Sequence, residues 1–333
     1  MSAIMNAADW PIGRMIKALE PCVLDIGARG GADEELLPIA WASRMVCFEP
    51  EASEAERLTQ EGDSRWRKFE VLSFAVGGTS GSQLFHMPDE PQAASLLRHN
   101  DSMIERFGRP HLHRTRQALP VRTWTLDELR LSGHVDRVDY MKIDVEGAEL
   151  DILKAGTSVL DECVALKVEV SFLEQRTGQP LAWEVARYLL DAGFEVVELH
   201  DIHRWRRRNL PAHPYRAACP VPYSRGQIAQ CDLIALKAPT HVNGEAQALR
   251  LVSLAAVFGF FDYAITVLRT HPQLERRVKL DYDFALDAEL GKWSMASGSR
   301  EVKRAMWISA RRMVPLFRAW MGRLPYSRGG VPY

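Results

Sequence analysis

The sequence predicts an α/β protein with a mostly parallel seven-stranded sheet, helices on both faces, and a helical C-terminal extension. Short apolar runs alternate with helix-like segments from about residue 20 to 240, as in open parallel sheets. The runs are continuously apolar, which is typical of strands buried on both faces. Beyond residue 240 the pattern is helical, so we divide the chain into residues 1–240 and 241–333.

The predicted strands are apolar runs that end in glycine, acidic or other polar residues. They lie at 22–27, 44–50, 69–78, 138–147, 162–172, 194–200 and 229–237. Helices are predicted between them, with glycine stops or an N-terminal Thr or acid as signals. They lie at 32–43, 51–62, 125–133 and 181–194.

Two segments interrupt this alternation, and a third is unusually apolar. Residues 79–121 predict a β-arm and an insertion over the carboxyl edge of the sheet, and residues 201–228 predict a second long loop. Residues 251–268 predict a buried helix rather than a membrane span, because Asp262 near their centre would be costly in hydrocarbon.

Composition excludes several classes of protein. The 333 residues are 47% hydrophobic and 26% charged, which excludes a disordered chain and a disulfide-stapled miniprotein. A net charge of −1 argues against a nucleic-acid partner. That balance hides an asymmetry, since residues 241–333 hold fourteen Lys and Arg against eight Asp and Glu. Five cysteines without a C-x-x-C pair predict a reducing, cytoplasmic location.

The first candidate motif is VLDIGARGGADE at 23–34, in which a strand ends near Asp25 and a glycine turn follows. If a helix begins there, its free amides would face a ligand. The acid would suit a cationic group and would repel a pyrophosphate. The alternative is a tight strand-to-helix turn with no ligand.

Glu49 ends the second predicted strand, where an acid can accept both hydroxyls of a ribose. Its alternative role is to cap the helix predicted at 51. The glycine turn at the end of the preceding strand favours the ribose interpretation.

The third motif, YMKIDVEGAELDILKAG at 140–156, delivers charged residues to the carboxyl edge of the sheet. Charges clustered around a central strand are costly when buried unpaired, so a site explains them better. A helix N-terminus rich in acids would explain Glu149 and Asp151, but it explains Asp144 poorly.

These blocks resemble the FkbM-type methyltransferases, within the class I, Rossmann-like, S-adenosylmethionine-dependent fold. The resemblance covers about residues 20–238 and is carried by VLDIGARGG, FEPE, FAVGGTSGSQLF, WTLDEL, MKIDVEGAELDILKAG and VEVSFLEQRTGQPLAWEV. It implies S-adenosylmethionine as cofactor, S-adenosylhomocysteine as product, and O-methylation of a sugar, glycan or other small molecule. The family commonly has asparagine where this chain has Arg29, so only the backbone contact carries over there.

The resemblance also implies roles for individual residues. The residues implied in cofactor binding are Asp25, Gly27, Ala28, Arg29, Gly31, Glu49, Ser73, Ala75 and Asp144. Asp144 and Glu146 would face the transferred methyl and the acceptor, and Asp144 is our first candidate for the base that a hydroxyl acceptor needs. Candidate acceptor-binding residues are Glu169, His200 and Arg204.

No metal ligands are predicted. His200 and His203 are three residues apart without a third defined ligand, and a divalent ion held by acids stays open as an alternative. The RWRRR run at 204–208 either binds a phosphate or uronate or forms a solvated cationic loop.

The C-terminal segment 302–323 predicts a basic amphipathic helix that Pro315 would kink or split. Met306, Met313 and Phe317 recur at helical spacing among several Lys and Arg. Such a helix packs on the catalytic domain or a second subunit, or lies on an anionic membrane.

The sequence leaves two alternatives to a free methyltransferase. One is a binding module that keeps the fold and is catalytically silent. The other is a membrane-peripheral enzyme that acts on a lipid-linked glycan.

Overall fold

The computed structural model describes residues 5–208 and 225–320, and it describes residues 311–320 by their backbone alone. Ten strands lie in these ranges: β1 Cys22–Ile26, β2 Arg44–Phe48, β3 Lys68–Leu72, β4 Ala75–Val76, β5 Gly81–Met87, β6 Gln117–Trp124, β7 Tyr140–Ile143, β8 Ala165–Ser171, β9 Phe194–Trp205 and β10 Gln227–Lys237. The main sheet has seven strands in the order β3-β2-β1-β7-β8-β10-β9. Strand β10 pairs antiparallel with both β8 and β9, and the other neighbouring strands of this sheet pair in parallel. The predicted mostly parallel sheet of seven strands is therefore confirmed.

The same ranges hold twelve α-helices: α1 Ile12–Leu19, α2 Ala52–Glu61, α3 Ser102–Phe107, α4 Pro110–His113, α5 Leu126–Leu131, α6 Glu149–Lys154, α7 Thr157–Glu162, α8 Ala182–Asp191, α9 Glu245–Val257, α10 Phe261–Thr270, α11 Gln273–Tyr282 and α12 Leu286–Trp320. The helices predicted at 51–62, 125–133 and 181–194 correspond to α2, α5 and α8. The Thr125 hydroxyl accepts the amide of Glu128, which caps α5 as its position predicts.

Both faces of the main sheet are buried, because successive strand residues enter two different cores. One core packs the strands against α5, α6, α7 and α8, and the other packs them against α1, α9, α10 and α12. In four strands, one residue enters one core and the next residue enters the other: Val23 and Leu24, Met45 and Val46, Tyr140 and Met141, and Ala165 and Leu166. This two-sided burial explains why the strands are continuously apolar.

The helices after β10 cover one face of the sheet. Trp293 of α12 is fully buried in that core, and its indole donates to the carbonyl of Met5 at 3.2 Å. Arg250 of α9 pairs with the buried Asp139 just before β7, with 2.6 Å between nitrogen and oxygen. The predicted change to purely helical structure falls between β10 and α9.

Four predictions about local structure are wrong. The strand predicted at 69–78 is two strands, β3 and β4, which lie in different sheets. The predicted helix at 32–43 is only a 3₁₀ helix, Leu37–Ala42, because Pro38 at its start supplies no amide hydrogen for a longer helix. The helix predicted over 251–268 is two helices, α9 and α10, separated by Gly259 at φ +90°. The loop predicted from residue 201 begins later, because β9 continues to Trp205.

Residues 209–224 of that loop, with Cys219, and residues 321–333 lie outside the described residues. The assignment of α12 runs through Pro315 without a break. Among the described residues, no helix is both long enough and apolar enough to cross a membrane.

The insertion at 79–121 forms the predicted β-arm. Strand β5 pairs antiparallel with β6, which also pairs in parallel with the short strand β4. The chain between β5 and β6 contains α3 and α4 and returns to the carboxyl edge of the main sheet, where residues 91–96 contribute to the wall of a cavity.

Candidate active site

A cavity of about 290 Å³ opens at the carboxyl ends of β1, β2, β7 and β8. Parallel strands end at the same edge of a sheet, which is where ligands bind in folds of this type. The predicted site residues that line it are Gly27, Arg29, Glu49, Ala75, Asp144, Glu146 and Glu169. Those that lie outside its lining are Asp25, Ala28, Gly31, Ser73, His200 and Arg204.

The glycine turn brings β1 into close contact with the end of β7. Gly27 has φ +90°, and a Cβ built on it would lie 1.9 Å from the carbonyl oxygen of Asp144. The amides of Gly27 and Ala28 both donate to the carbonyl of Phe48, at 3.2 and 3.1 Å. The prediction of free helix amides at this turn is therefore wrong for these two groups, which serve the fold.

Asp25 supports the cavity from beneath. Its side chain is fully buried, accepts the amide of Asp33 at 2.8 Å and lies 3.4 Å from the ammonium of Lys142. Burial raises the pKa of Asp25, and Lys142 opposes that rise. The same ammonium lies 3.2 Å from Asp144 on the cavity wall, so Lys142 links the buried acid to the exposed one.

Burial acts to lower the pKa of Lys142, because it disfavours the charged ammonium. The carboxylates of Asp25 and Asp144 outweigh this effect and raise the pKa of Lys142 above its ordinary value. Lys142 is thus a permanent cation under the cavity at neutral pH.

Glu49 and Arg29 line the cavity beside β2. Glu49 is 2% exposed and accepts the amide of Glu51 at 2.8 Å. Burial raises the pKa of Glu49, against the amide hydrogen bond and the charge of Arg29, whose guanidinium lies 3.7 Å away. Arg29 also pairs with Glu51, so this guanidinium is held across the Glu49 carboxylate.

The end of β3 contributes an apolar wall. Ala75 is buried and lines the cavity, whereas Ser73 is exposed and lies outside it. Phe74 turns the other way and packs against Phe48 and Trp124, with ring centroids 5.7 and 5.9 Å apart.

Three carboxyl groups meet on the other side of the cavity: Asp144, Glu146 and Glu169. The Glu169 carboxyl accepts a hydrogen bond from Gln230 at 2.6 Å. Burial, and then the nearby Glu146 and Asp144, raise the pKa of Glu169 well above its ordinary value. Glu169 therefore holds its proton more tightly than an exposed glutamate does.

Arg176 holds Glu146 in place. Its guanidinium, 1% exposed, lies 2.7 Å from the Glu146 carboxylate and donates to the carbonyl of Ala93 at 3.0 Å. Glu146 has a left-handed backbone with φ +62°, and its carbonyl accepts the Ser95 hydroxyl at 2.8 Å. Arg176 and Ser95 thus tie the insertion to the loop that carries Glu146.

Sequence reasoning did not identify Arg176. Its one available signal was electrostatic: a cluster of acids at a sheet edge needs cations, and Arg176 follows β8 by five residues at that edge. Nothing in its spacing distinguishes it from the arginines of the surface.

We expect Arg176→Met to lower the free energy of unfolding by about 3 kcal/mol, because it leaves the buried Glu146 carboxylate without its counter-ion. Chemical denaturation measures this change. The double variant Arg176→Met/Glu146→Gln should recover part of the loss. Arg130→Met is the control, since its pair with Glu162 is partly exposed and should contribute no more than about 1 kcal/mol. Equal losses in the two single variants would contradict this account.

Glu149 braces the loop from behind. Its buried carboxylate accepts the amides of Val145 and Gly147, at 3.2 and 2.8 Å. Burial raises the pKa of Glu149 from 4.5 to about 7, despite the two hydrogen bonds. The folded state therefore binds this proton more tightly than the unfolded state.

The stability contributed by protonated Glu149 is complete below pH 4.5 and is lost as the pH rises through about 7. The loss amounts to about 3 kcal/mol, at 1.36 kcal/mol per pKa unit. Urea unfolding at pH 5 and pH 8 should therefore show a smaller difference in Glu149→Gln than in the native chain. Glu174→Gln, an exposed carboxylate that accepts the amide of Gly178, is the control and should leave the difference unchanged. An unchanged difference in Glu149→Gln would exclude this role.

His200 and Arg204 lie on β9, outside the cavity lining. Arg204 is exposed. His200 has potential ligand atoms grouped with those of Asp201 and Asp232, all within 4.8 Å of one another. This group does not include His203, the neighbour considered from the sequence, and Asp232 also lies 3.5 Å from the ammonium of Lys167.

The strand order with one antiparallel strand, the glycine turn after β1 and the acids at the carboxyl edge define a class I S-adenosylmethionine-dependent methyltransferase. More particularly, the chain belongs to the FkbM methyltransferase family, whose domain, described as "Methyltransferase FkbM domain", matches residues 25–196.

Two curated relatives are similar to this chain. "2-O-methyltransferase NoeI" of Sinorhizobium fredii is 28% identical over 194 residues, which are 55% of this chain and 76% of the relative. "Hexuronic acid methyltransferase AglP" of Haloferax volcanii is 28% identical over 128 residues, 38% of this chain and 47% of the relative, so less than half of AglP is covered. Among solved structures, magnesium protoporphyrin IX methyltransferase (ChlM) from Synechocystis PCC 6803 aligns with a TM-score of 0.34 and 10% identity, over 68% of this chain and 76% of that one.

Proposed function

We propose that this protein transfers a methyl group from S-adenosylmethionine to a hydroxyl of a sugar or glycan. The observation that carries the proposal is the single cavity at the carboxyl edge, where Glu49 lies on one side and Asp144, Glu146 and Glu169 lie on the other. Glu49 is placed to accept hydrogen bonds from the hydroxyls of a ribose. The acids on the other side are placed to accept the proton of a hydroxyl acceptor.

The residues present fit this cofactor. Glu49 presents a buried carboxylate to the cavity, suited to the two ribose hydroxyls. The apolar surface of Ala75 and Phe48 beside it suits an adenine ring. Carboxylate oxygens of Asp144 and Glu146 line the other end, where they suit contacts with a sulfonium. Asp25 acts indirectly, because it pairs with Lys142, which in turn holds Asp144 in the cavity wall.

We assign proton removal to Asp144. Bound S-adenosylmethionine would supply the methyl group to the acceptor oxygen, and Asp144 would accept the proton that this oxygen loses. The Asp144 side chain is 36% exposed in the cavity wall, against 17% for Glu146, whose carboxylate lies 2.7 Å from Arg176, so Asp144 is the more accessible to an acceptor. Burial and the neighbouring acids raise the pKa of Glu169, which favours its neutral form. The Asp144 carboxylate forms an ion pair with the ammonium of Lys142, at 3.2 Å.

The acceptor class rests on the relatives. One is named as a 2-O-methyltransferase and the other as a hexuronic acid methyltransferase. The first name specifies methylation at an oxygen and the second specifies a sugar acid as substrate, and together they favour a sugar hydroxyl as the acceptor. The acids of the cavity suit hydrogen bonds to further hydroxyls of a sugar ring.

Calorimetry with S-adenosylhomocysteine tests the cofactor site. We expect the native chain to bind it and Glu49→Gln to bind about 10-fold to 100-fold more weakly, because one charge-assisted hydrogen-bonding group is lost. Glu70→Gln, whose partner is Arg44 at the amino edge of the sheet, is the control and should bind normally. A folded native chain that binds neither S-adenosylhomocysteine nor S-adenosylmethionine would refute the proposal. Binding with no methyl transfer to any sugar would favour the catalytically silent module.

A further inference from the structure

The long helix α12 changes its surroundings half-way along its length. Leu286, Leu290 and Trp293 are fully buried in the core against the sheet. From Gly298 to Ala310 every residue is exposed except the half-buried Ile308. The helix therefore leaves the body of the protein after Ser297.

The emergent part of α12 exposes large apolar side chains. Val302 is 60% exposed and Met306, one turn later, is 67% exposed. Residues four apart lie on the same side of a helix, so these two form the start of an apolar stripe. In the sequence, Met313 and Phe317 follow Met306 at helical spacing.

The rest of this segment is strongly basic. Six basic residues lie between positions 299 and 320, namely Arg300, Lys303, Arg304, Arg311, Arg312 and Arg318. The one acid in the same stretch is Glu301, which lies 3.6 Å from Arg304. An apolar stripe bordered by cations is the pattern of a helix that lies in the plane of an anionic membrane surface.

We propose that residues 298–320 of α12 bind the surface of an anionic lipid bilayer, with the stripe that begins at Val302 and Met306 turned toward the acyl chains. Each basic residue near such a surface contributes about 1 kcal/mol. A second copy of this helix is a poorer partner, because its six cations would be brought against six like charges.

This inference stands apart from the proposed methyl transfer. Sedimentation of the full chain with vesicles tests it. The vesicles are phosphatidylcholine alone, or phosphatidylcholine with phosphatidylglycerol. We expect the native chain to sediment with the anionic vesicles, to remain in solution with the neutral ones, and to be released by salt.

The variant Val302→Glu/Met306→Glu should bind the anionic vesicles at least about 10-fold more weakly, because it places charges in the apolar stripe. The control is Leu131→Glu/Leu280→Glu, two apolar residues that are 86% and 76% exposed on α5 and α11, and it should bind as the native chain does. S-adenosylhomocysteine binding, measured on the same samples, shows that each variant is folded and separates this proposal from the cofactor site.

Three results would overturn the proposal. The first is no sedimentation of the native chain with anionic vesicles. The second is equal sedimentation of the native chain and the Val302→Glu/Met306→Glu variant. The third is a dimer in ultracentrifugation that this variant loses while vesicle binding is absent, which would assign the stripe to a second copy of the chain.

Discussion

Gly27→Ala is expected to abolish S-adenosylhomocysteine binding and to lower the free energy of unfolding by about 5 kcal/mol, the sum of left-handed backbone strain and overpacking. The added Cβ would lie 1.9 Å from the carbonyl oxygen of Asp144 and 2.9 Å from its carbonyl carbon. Both are backbone atoms, so no side-chain rotation relieves the overlap. The ends of β1 and β7 would have to separate, and the cavity lies between them. Urea denaturation and calorimetry measure the two effects.

Gly30→Ala provides a matched control for this substitution. Gly30 lies in the same turn at φ +88°, but a Cβ there would meet no atom within 4 Å. Its alanine variant should therefore lose only about 1–2 kcal/mol, the cost of a left-handed backbone in a residue with a Cβ. If the two variants lose the same stability, the close approach of β1 to β7 does not determine the turn.

The strands could be predicted because their signal is local. The central strands β1, β2, β7 and β8 are largely apolar because both of their faces are buried, and a glycine or polar residue follows soon after each. The helix expected at 32–43 was wrong because Pro38 outweighed the acidic first turn that favoured a helix. The two helices at 251–268 were merged because both are buried in one core, and only the backbone of Gly259 separates them.

The candidate site could be predicted only in part, for a physical reason. Parallel strands bring their carboxyl ends together, so Glu49, Asp144 and Glu169 could be expected at one edge from the sequence. Which acid faces the cavity depends on contacts between distant segments. Asp25 lies below the cavity because Lys142 and Asp33 enclose it, and Arg176 reaches Glu146 from beyond β8. No periodicity records such contacts.

Asp144→Asn is expected to lower kcat by about 10²-fold to 10⁴-fold, the usual contribution of a general base. The amide keeps the shape of the side chain but cannot accept the acceptor's proton. Lys142 keeps its second carboxylate, Asp25, at 3.4 Å, so the wall of the cavity should persist. Release of S-adenosylhomocysteine in the presence of hexuronic-acid and neutral hexose glycosides measures the rate. Calorimetry should show cofactor binding little changed, which separates proton removal from binding.

The matched control is Asp151→Asn, an exposed carboxylate on α6 seven residues later, which should leave kcat unchanged. Glu169→Gln tests the competing assignment. Because burial and the neighbouring acids raise the pKa of Glu169 and favour its neutral form, its amide should preserve the rate. A large loss in Glu169→Gln with an active Asp144→Asn would transfer the role of base to Glu169. In that case Asp144, held by the ammonium of Lys142, would be part of the binding wall and would not receive the proton.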